Sequence, residues 1–235
     1  MLKRSALLLV MSLMLAFPAA APLAAKTAAP ALSMDLMPYL APPPAPDSDQ
    51  QKAELAELLR LQQSRTADQA AYAQADVKKD VFRFADVLGD KFTETNLPLT
   101  AALFKEVIDA QKACVDPVKK AFHRQRPYEV DKDIQPCVDM KDMGDSYPSG
   151  HATAGTLMAV LLAQMAPEKK AELYARGWAF AYNRMIGGVH FRSDIEAGRV
   201  AGTLIAYRLM QDKGFQKKFE AAKTELRGVL GLSAQ

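Results

Sequence analysis

The sequence predicts an all-α chain forming one domain, on three observations. Apolar residues recur three and four apart through most of its length, the spacing of a buried helix face. No stretch sustains the period-two alternation of β-branched residues that a half-buried strand requires. Its 235 residues, 49% hydrophobic and 24% charged and without an internal repeat, are ample for one core.

Taken in order, the chain opens with the form of a secretory signal. Lys3 and Arg4 precede the apolar stretch Ala6 to Phe17, and Ala19 to Ala25 offers small residues for cleavage. Residues 1–25 are therefore expected to be a leader; the alternative, a membrane anchor, is disfavoured because the apolar stretch is short for a span. No later stretch is long enough either, so the mature protein is expected to be periplasmic or secreted and free of the membrane. Residues 26–49 form an Ala/Pro-rich lead-in whose Pro42-Pro43-Pro44 favours an extended path over the surface. The helical domain is expected over 50–235.

Asp47-Ser48-Asp49 can cap a first helix bearing Leu55, Leu58, Leu59 and Gln62. A second is expected from Thr66 to Leu88, stopping at Gly89. Pro98 suits the first turn of a third, which runs toward Cys114. Pro117 interrupts or restarts it, and Val118 to Arg124 continues it until Arg126-Pro127. Tyr128 to Tyr147 has Pro, Asp and Gly with little periodicity, and reads as an ordered loop. Four more helices follow, at about Gly150 to Gln164, Pro167 to Ile186, Ser193 to Asp212 and Gly214 to Val229.

Net charge is +3 with two of the positives in the leader, so the mature surface lacks the basic field that recruits nucleic acid. Cys114 and Cys137 are the only cysteines. In an oxidising compartment they are expected to form a disulfide worth about 3 kcal/mol; two buried thiols are the alternative. Without a CxxC spacing they make a poor metal site.

The chemistry gathers around Ser146-Tyr147-Pro148-Ser149-Gly150-His151. Pro148 fits the first turn of a helix, and Ser149, Gly150 and His151 would then present N–H groups where an anion is favoured. His151 adds a titratable imidazole. Downstream, Gly187-Gly188 should break a helix so that Arg184 and His190 converge. Asp194, four residues after His190, can hold one imidazole nitrogen and leave the other free to attack. Upstream, Lys119 and Arg126 supply a point charge and a planar fork suited to a phosphoryl group. Each piece alone has an ordinary structural reading, as a solvated face, a cap or an ion pair. Together they point to a site suited to a phosphoryl group.

The pattern Lys-x6-Arg-Pro, then Pro-Ser-Gly-His, then Arg-x5-His-x3-Asp resembles the three-part signature of the type 2 phosphatidic acid phosphatase superfamily. That group includes bacterial acid phosphatases, lipid phosphatases and vanadium haloperoxidases. Ser146-Tyr147, the Pro-rich lead-in and the tail Gly214 to Phe219 are most similar to the secreted class A non-specific acid phosphatases. One departure is Asn183, which stands where the family usually has Ser and is a possible phosphate contact.

The resemblance implies a helical bundle of the acid phosphatase/vanadium haloperoxidase type, hydrolysing small phosphomonoesters. It assigns His190 as nucleophile, Asp194 as its partner and His151 as general acid and base. Lys119, Arg126, Ser149, Gly150 and Arg184 would hold the phosphoryl oxygens. No metal or other cofactor is implied, and a homo-oligomer, a dimer or larger, is. His123 has no role in that signature and reads as structural or as pocket wall. The substrate wall is expected from Tyr128 to Tyr147 and from the loops before Gly89 and Pro98. The alternatives are a vanadium-dependent haloperoxidase, a lipid phosphatase and a phosphate-binding helical protein without turnover.

Overall fold

The computed structural model describes residues 34–141 and 143–233. The expected leader and the first part of the lead-in lie outside them. Among the described residues the regular structure is all helical, without a strand, as the periodicity predicts.

Helix α1 (Asp49–Ser64) starts where Ser48 accepts the Gln51 N–H at 3.2 Å, a side-chain N-cap. Helix α2 (Ala67–Ala75) starts with a capping box between Thr66 and Gln69. It does not continue to Leu88 as predicted. Asp76 turns inward to buried cations, Val77 to Asp80 leave the helix, and a short 3-10 turn (Val81–Phe84) leads into α3 (Ala85–Leu88). Helix α4 (Pro98–Phe122) passes through Pro117 unbroken. Cys114, Val115 and Val118 around that proline are all buried in the main core, so packing outweighs the lost backbone bond. The helix ends at His123, in left-handed conformation with φ 45°. A short α5 (Pro127–Val130) precedes the irregular stretch up to α6 (Gly150–Met165).

Helix α6 is the centre of the molecule. It is apolar around most of its circumference and buried along nearly its whole length, as expected of a helix covered on all sides. Helices α7 (Lys170–Ile186) and α8 (Arg192–Leu209) cover it from one side, and α4 with α9 (Lys213–Leu230) from another. Small residues permit the close approach. A methyl group on Gly177 would come within 2.6 Å of the Ala159 Cβ, and one on Gly198 within 2.7 Å of the Ser149 carbonyl oxygen. Among the described residues no helix is long and apolar enough to cross a membrane.

The expected disulfide is not formed. Cys114 faces the main core from mid-α4, against the Met34 backbone, whereas Cys137 lies in a separate apolar cluster beside the end of α7. There its thiol donates to the Ile186 carbonyl at 3.5 Å.

Candidate active site

Three segments converge at the N-terminus of α6. Pro148 stands outside the helix rather than in its first turn, because Ser149 is the N-cap and accepts the Ala152 N–H at 3.3 Å. The Ser149 N–H is not available to an anion, since it donates to the Asp194 carbonyl at 3.0 Å. Gly150 and His151 begin the helix and line a cleft of about 440 Å³.

Helix α7 ends beside the same cleft. Arg184 lies in its last turn, Gly187-Gly188 break the helix with Gly188 at φ 72°, and the chain returns through Val189 to His190. Positive φ is what glycine supplies there without strain. Asp194 sits in the first turn of α8, fully buried, with Oδ2 3.1 Å from His190 Nδ1 and 2.9 Å from the Phe191 N–H. Arg126 Nη1 lies 2.9 Å from His190 Nε2. A guanidinium only donates and a carboxylate only accepts. His190 therefore carries its proton on Nδ1 and a lone pair on Nε2, the tautomer a nucleophile needs.

Cations surround that lone pair. Lys119 donates to the carbonyls of Asp145 and Ser146. Arg126 donates to Gly144 O at 2.9 Å and Val189 O at 2.8 Å. Arg184 is completely buried, and none of its three guanidinium nitrogens has a hydrogen-bond partner among the described residues. Burial, with Arg126 beside it, lowers the Arg184 pKa to about 10, and the same two causes lower that of Lys119 to about 8. His190 is pushed well below the ordinary imidazole range by burial and then by Arg126, Lys119 and Arg184. His151, partly buried with Nε2 2.8 Å from the Val77 carbonyl, is pushed the same way by burial, Arg184 and Lys79. Both imidazoles are thus held below the ordinary value near 6.5.

Lys119, Arg126, Gly150, His151, Arg184 and His190 all line the cleft. Asn183 does not: its amide donates to buried Asp76 at 2.8 Å. His123 is no part of the wall, being exposed and paired with Asp145 at 3.2 Å. The opposite wall comes from Val77 and Lys79 after α2 and from Gln111 on α4, together with Met143 and Gly144. Val77 and Lys79 thus come from the irregular stretch between α2 and Gly89, whereas the loop before Pro98 contributes nothing to the wall among the described residues.

Several contributors have no local signature. Arg124, two residues before Arg126, reaches the back of Asp194; Ser146, already part of the central motif, gains its role only here, donating to Asp194 Oδ2 at 2.6 Å. Asp76 accepts from both terminal nitrogens of Arg176, at 2.9 and 2.7 Å, which fixes the turn presenting Val77 to His151.

Fold and site together define an all-helical protein with a cationic pocket closed around a His–Asp pair. The chain belongs to the PAP2 superfamily, whose family pattern matches residues 99–218. It is 31% identical over 196 residues to a non-specific acid phosphatase of Salmonella typhimurium, covering 80% of this chain and 78% of that one. It is also 31% identical over 199 residues to an acid phosphatase of Zymomonas mobilis, covering 80% and 74%. Among solved structures, a bacterial vanadium-dependent iodoperoxidase superposes with a TM-score of 0.58 at 16% identity. That match covers 74% of this chain and about half, 52%, of the peroxidase, and it shows the shared fold.

Proposed function

We propose that this chain is an exported, metal-independent acid phosphatase that hydrolyses phosphate monoesters through a phosphohistidine at His190. The observation that supports it best is Arg184. A fully buried guanidinium without an acceptor is costly, and it borders the same cleft as His190. A phosphoryl group there would supply the missing acceptors.

The Nε2 lone pair attacks phosphorus in line as the bond to the ester oxygen breaks. Asp194 holds Nδ1–H and stabilises the positive ring. The Val77 carbonyl fixes His151 Nε2 as a donor, so its Nδ1 delivers the proton to the departing oxygen. Water then attacks the phosphohistidine and gives its proton to His151. The N–P bond breaks, phosphate leaves and His190 returns to its neutral form. Arg184 meets the equatorial oxygens directly, with the Gly150 N–H at the helix end and the Ser149 hydroxyl proton beside it. Lys119 and Arg126 exchange loop carbonyls for phosphoryl oxygens, and Arg126 Nη1 turns from His190 Nε2 to the phosphoryl group so that the lone pair is free to attack. An alcohol in place of the water gives phosphoryl transfer by the same steps. Export rests on the leader-like residues 1–25, and assembly into a dimer or larger rests on the resemblance alone.

The test is release of a chromogenic phenol from its phosphomonoester near pH 6 in excess chelator. Turnover that survives chelation and stops with vanadate is the expected result. Loss of activity on chelation contradicts the metal-free reading. Halide oxidation with vanadate and peroxide, without phenol release, would favour the haloperoxidase.

A further inference from the structure

We propose that Arg124, held in place by Glu54, is a positioning residue for the Asp194–His190 pair and sets the pH at which that pair takes up a proton. The proposal rests on the reading of His190 as nucleophile and goes beyond the cleft. Arg124 does not line it.

The geometry is a closed relay behind the site. Arg124 Nη1 donates to Asp194 Oδ1 at 2.7 Å and to Ser193 Oγ at 2.7 Å. Its Nη2 donates to Glu54 Oε2 at 2.9 Å, and its Cζ lies 4.0 Å from the centre of the Phe191 ring. Glu54 also accepts the Ser193 N–H at 2.7 Å and the Ser193 hydroxyl at 3.0 Å. Arg124 and Glu54 are each 7% exposed and Asp194 is fully buried. Glu54 belongs to α1, outside the residues 99–218 that match the family pattern. A helix from outside that region thus reaches the carboxylate behind the nucleophile.

Both Asp194 oxygens are thereby committed. Oδ1 takes Arg124, while Oδ2 takes His190 Nδ1–H, the Ser146 hydroxyl and the Phe191 N–H. That fixes the carboxylate's rotation and so the aim of Nε2. The charge acts separately. A guanidinium on the far side of Asp194 weakens that carboxylate's hold on an imidazolium and opposes protonation of the ring. The groups facing His190 are Arg126 and Lys119 around the α4–α5 link, Arg184 from α7, His151 from α6, and Asp194 with Arg124 behind it. Arg126, Lys119 and Arg184 are the phosphate ligands of the proposed reaction, so their charge at His190 is offset once substrate binds. Arg124, bound to Asp194 and Glu54, acts on the pair with or without substrate. It keeps the nucleophile in its neutral form in acid, and Glu54 supplies the counter-charge that makes the buried Arg124 tolerable.

The chain has only three histidines, so ring nitrogen NMR can follow His190 in the substrate-free protein, with exposed His123 as control. In Arg124→Gln the His190 midpoint is expected to rise by about one pH unit or more. The acid limb of kcat/KM moves with it, kcat falls, and KM stays near its original value. Arg124→Lys, which returns the charge without the fork, restores the midpoint but not the full kcat. A folded Arg124→Gln protein with the original midpoint, changed only in melting temperature, overturns the proposal. Should that variant not fold, Glu54→Gln decides. It keeps Arg124 and removes the counter-charge, so the midpoint must move downward, and an unchanged midpoint refutes the relay. Because the titration is read without substrate, failure of the protein to hydrolyse esters would count against the phosphohistidine reading and not against this one.

Discussion

Arg184 is buried without an acceptor, at a place where any apolar residue would fold more comfortably. Replacing it by Met should stabilise the ligand-free protein by about 1–3 kcal/mol while removing most of the affinity for phosphate. Thermal melting checks both. Inorganic phosphate should raise the wild-type Tm, by about 2.7 kcal/mol of stability at a hundred times Kd, and leave that of Arg184→Met unmoved. The two histidines make a pH prediction. Burial and the neighbouring cations hold both below the ordinary imidazole range. A bound phosphate dianion offsets Arg184 and Lys79 and so raises His151. The basic limb of kcat, which reports the complex, should therefore lie at higher pH than that of kcat/KM, which reports the free enzyme. Coincident limbs would remove His151 as the acid. At this scale the sequence is most legible where motif residues lie close in the chain and meet in space, as with Arg184, His190 and Asp194. It is silent on Arg124 and Glu54, because partners 70 residues apart leave no spacing to read.

The α6–α8 contact decides whether the three segments meet. Gly198 of α8 lies against the Ser149 carbonyl and Ala152, and an added methyl would come within 2.7 Å of each. Gly198→Ala must push α8 away from the end of α6, separating Asp194 from Ser149. Overpacking of this kind costs about 1–3 kcal/mol. We expect a lower urea midpoint together with a fall in kcat larger than the change in KM. Helices from α6 onward follow their apolar periodicity to within a few residues of the prediction. The break after α2 does not, because Asp76 is drawn out of the helical pattern by Arg176, a hundred residues further on. Pro117 misleads in the opposite sense, since the burial that carries α4 through it comes from other elements.

Across the whole molecule, the site is assembled from the ends of helices whose middles form the core. The core fixes α6, the Asp76–Arg176 contact fixes the turn at Val77, and Glu54 with Arg124 ties α1 to the back of Asp194. Composition and periodicity make the all-helical class legible, and the three motifs make the convergence on one cationic cleft legible. The separation of Cys114 and Cys137 into different clusters is not, since two cysteines in a sequence carry no distance. The measurement that bears most directly on the account is a rapid quench of the purified protein with a phosphomonoester at acidic pH, followed by peptide mapping for an acid-labile phosphoryl group. The account predicts one phosphoryl group on His190 of the wild type, and neither the adduct nor turnover in His190→Ala. Turnover that persists in His190→Ala, or a phosphoryl group on another side chain, would contradict it.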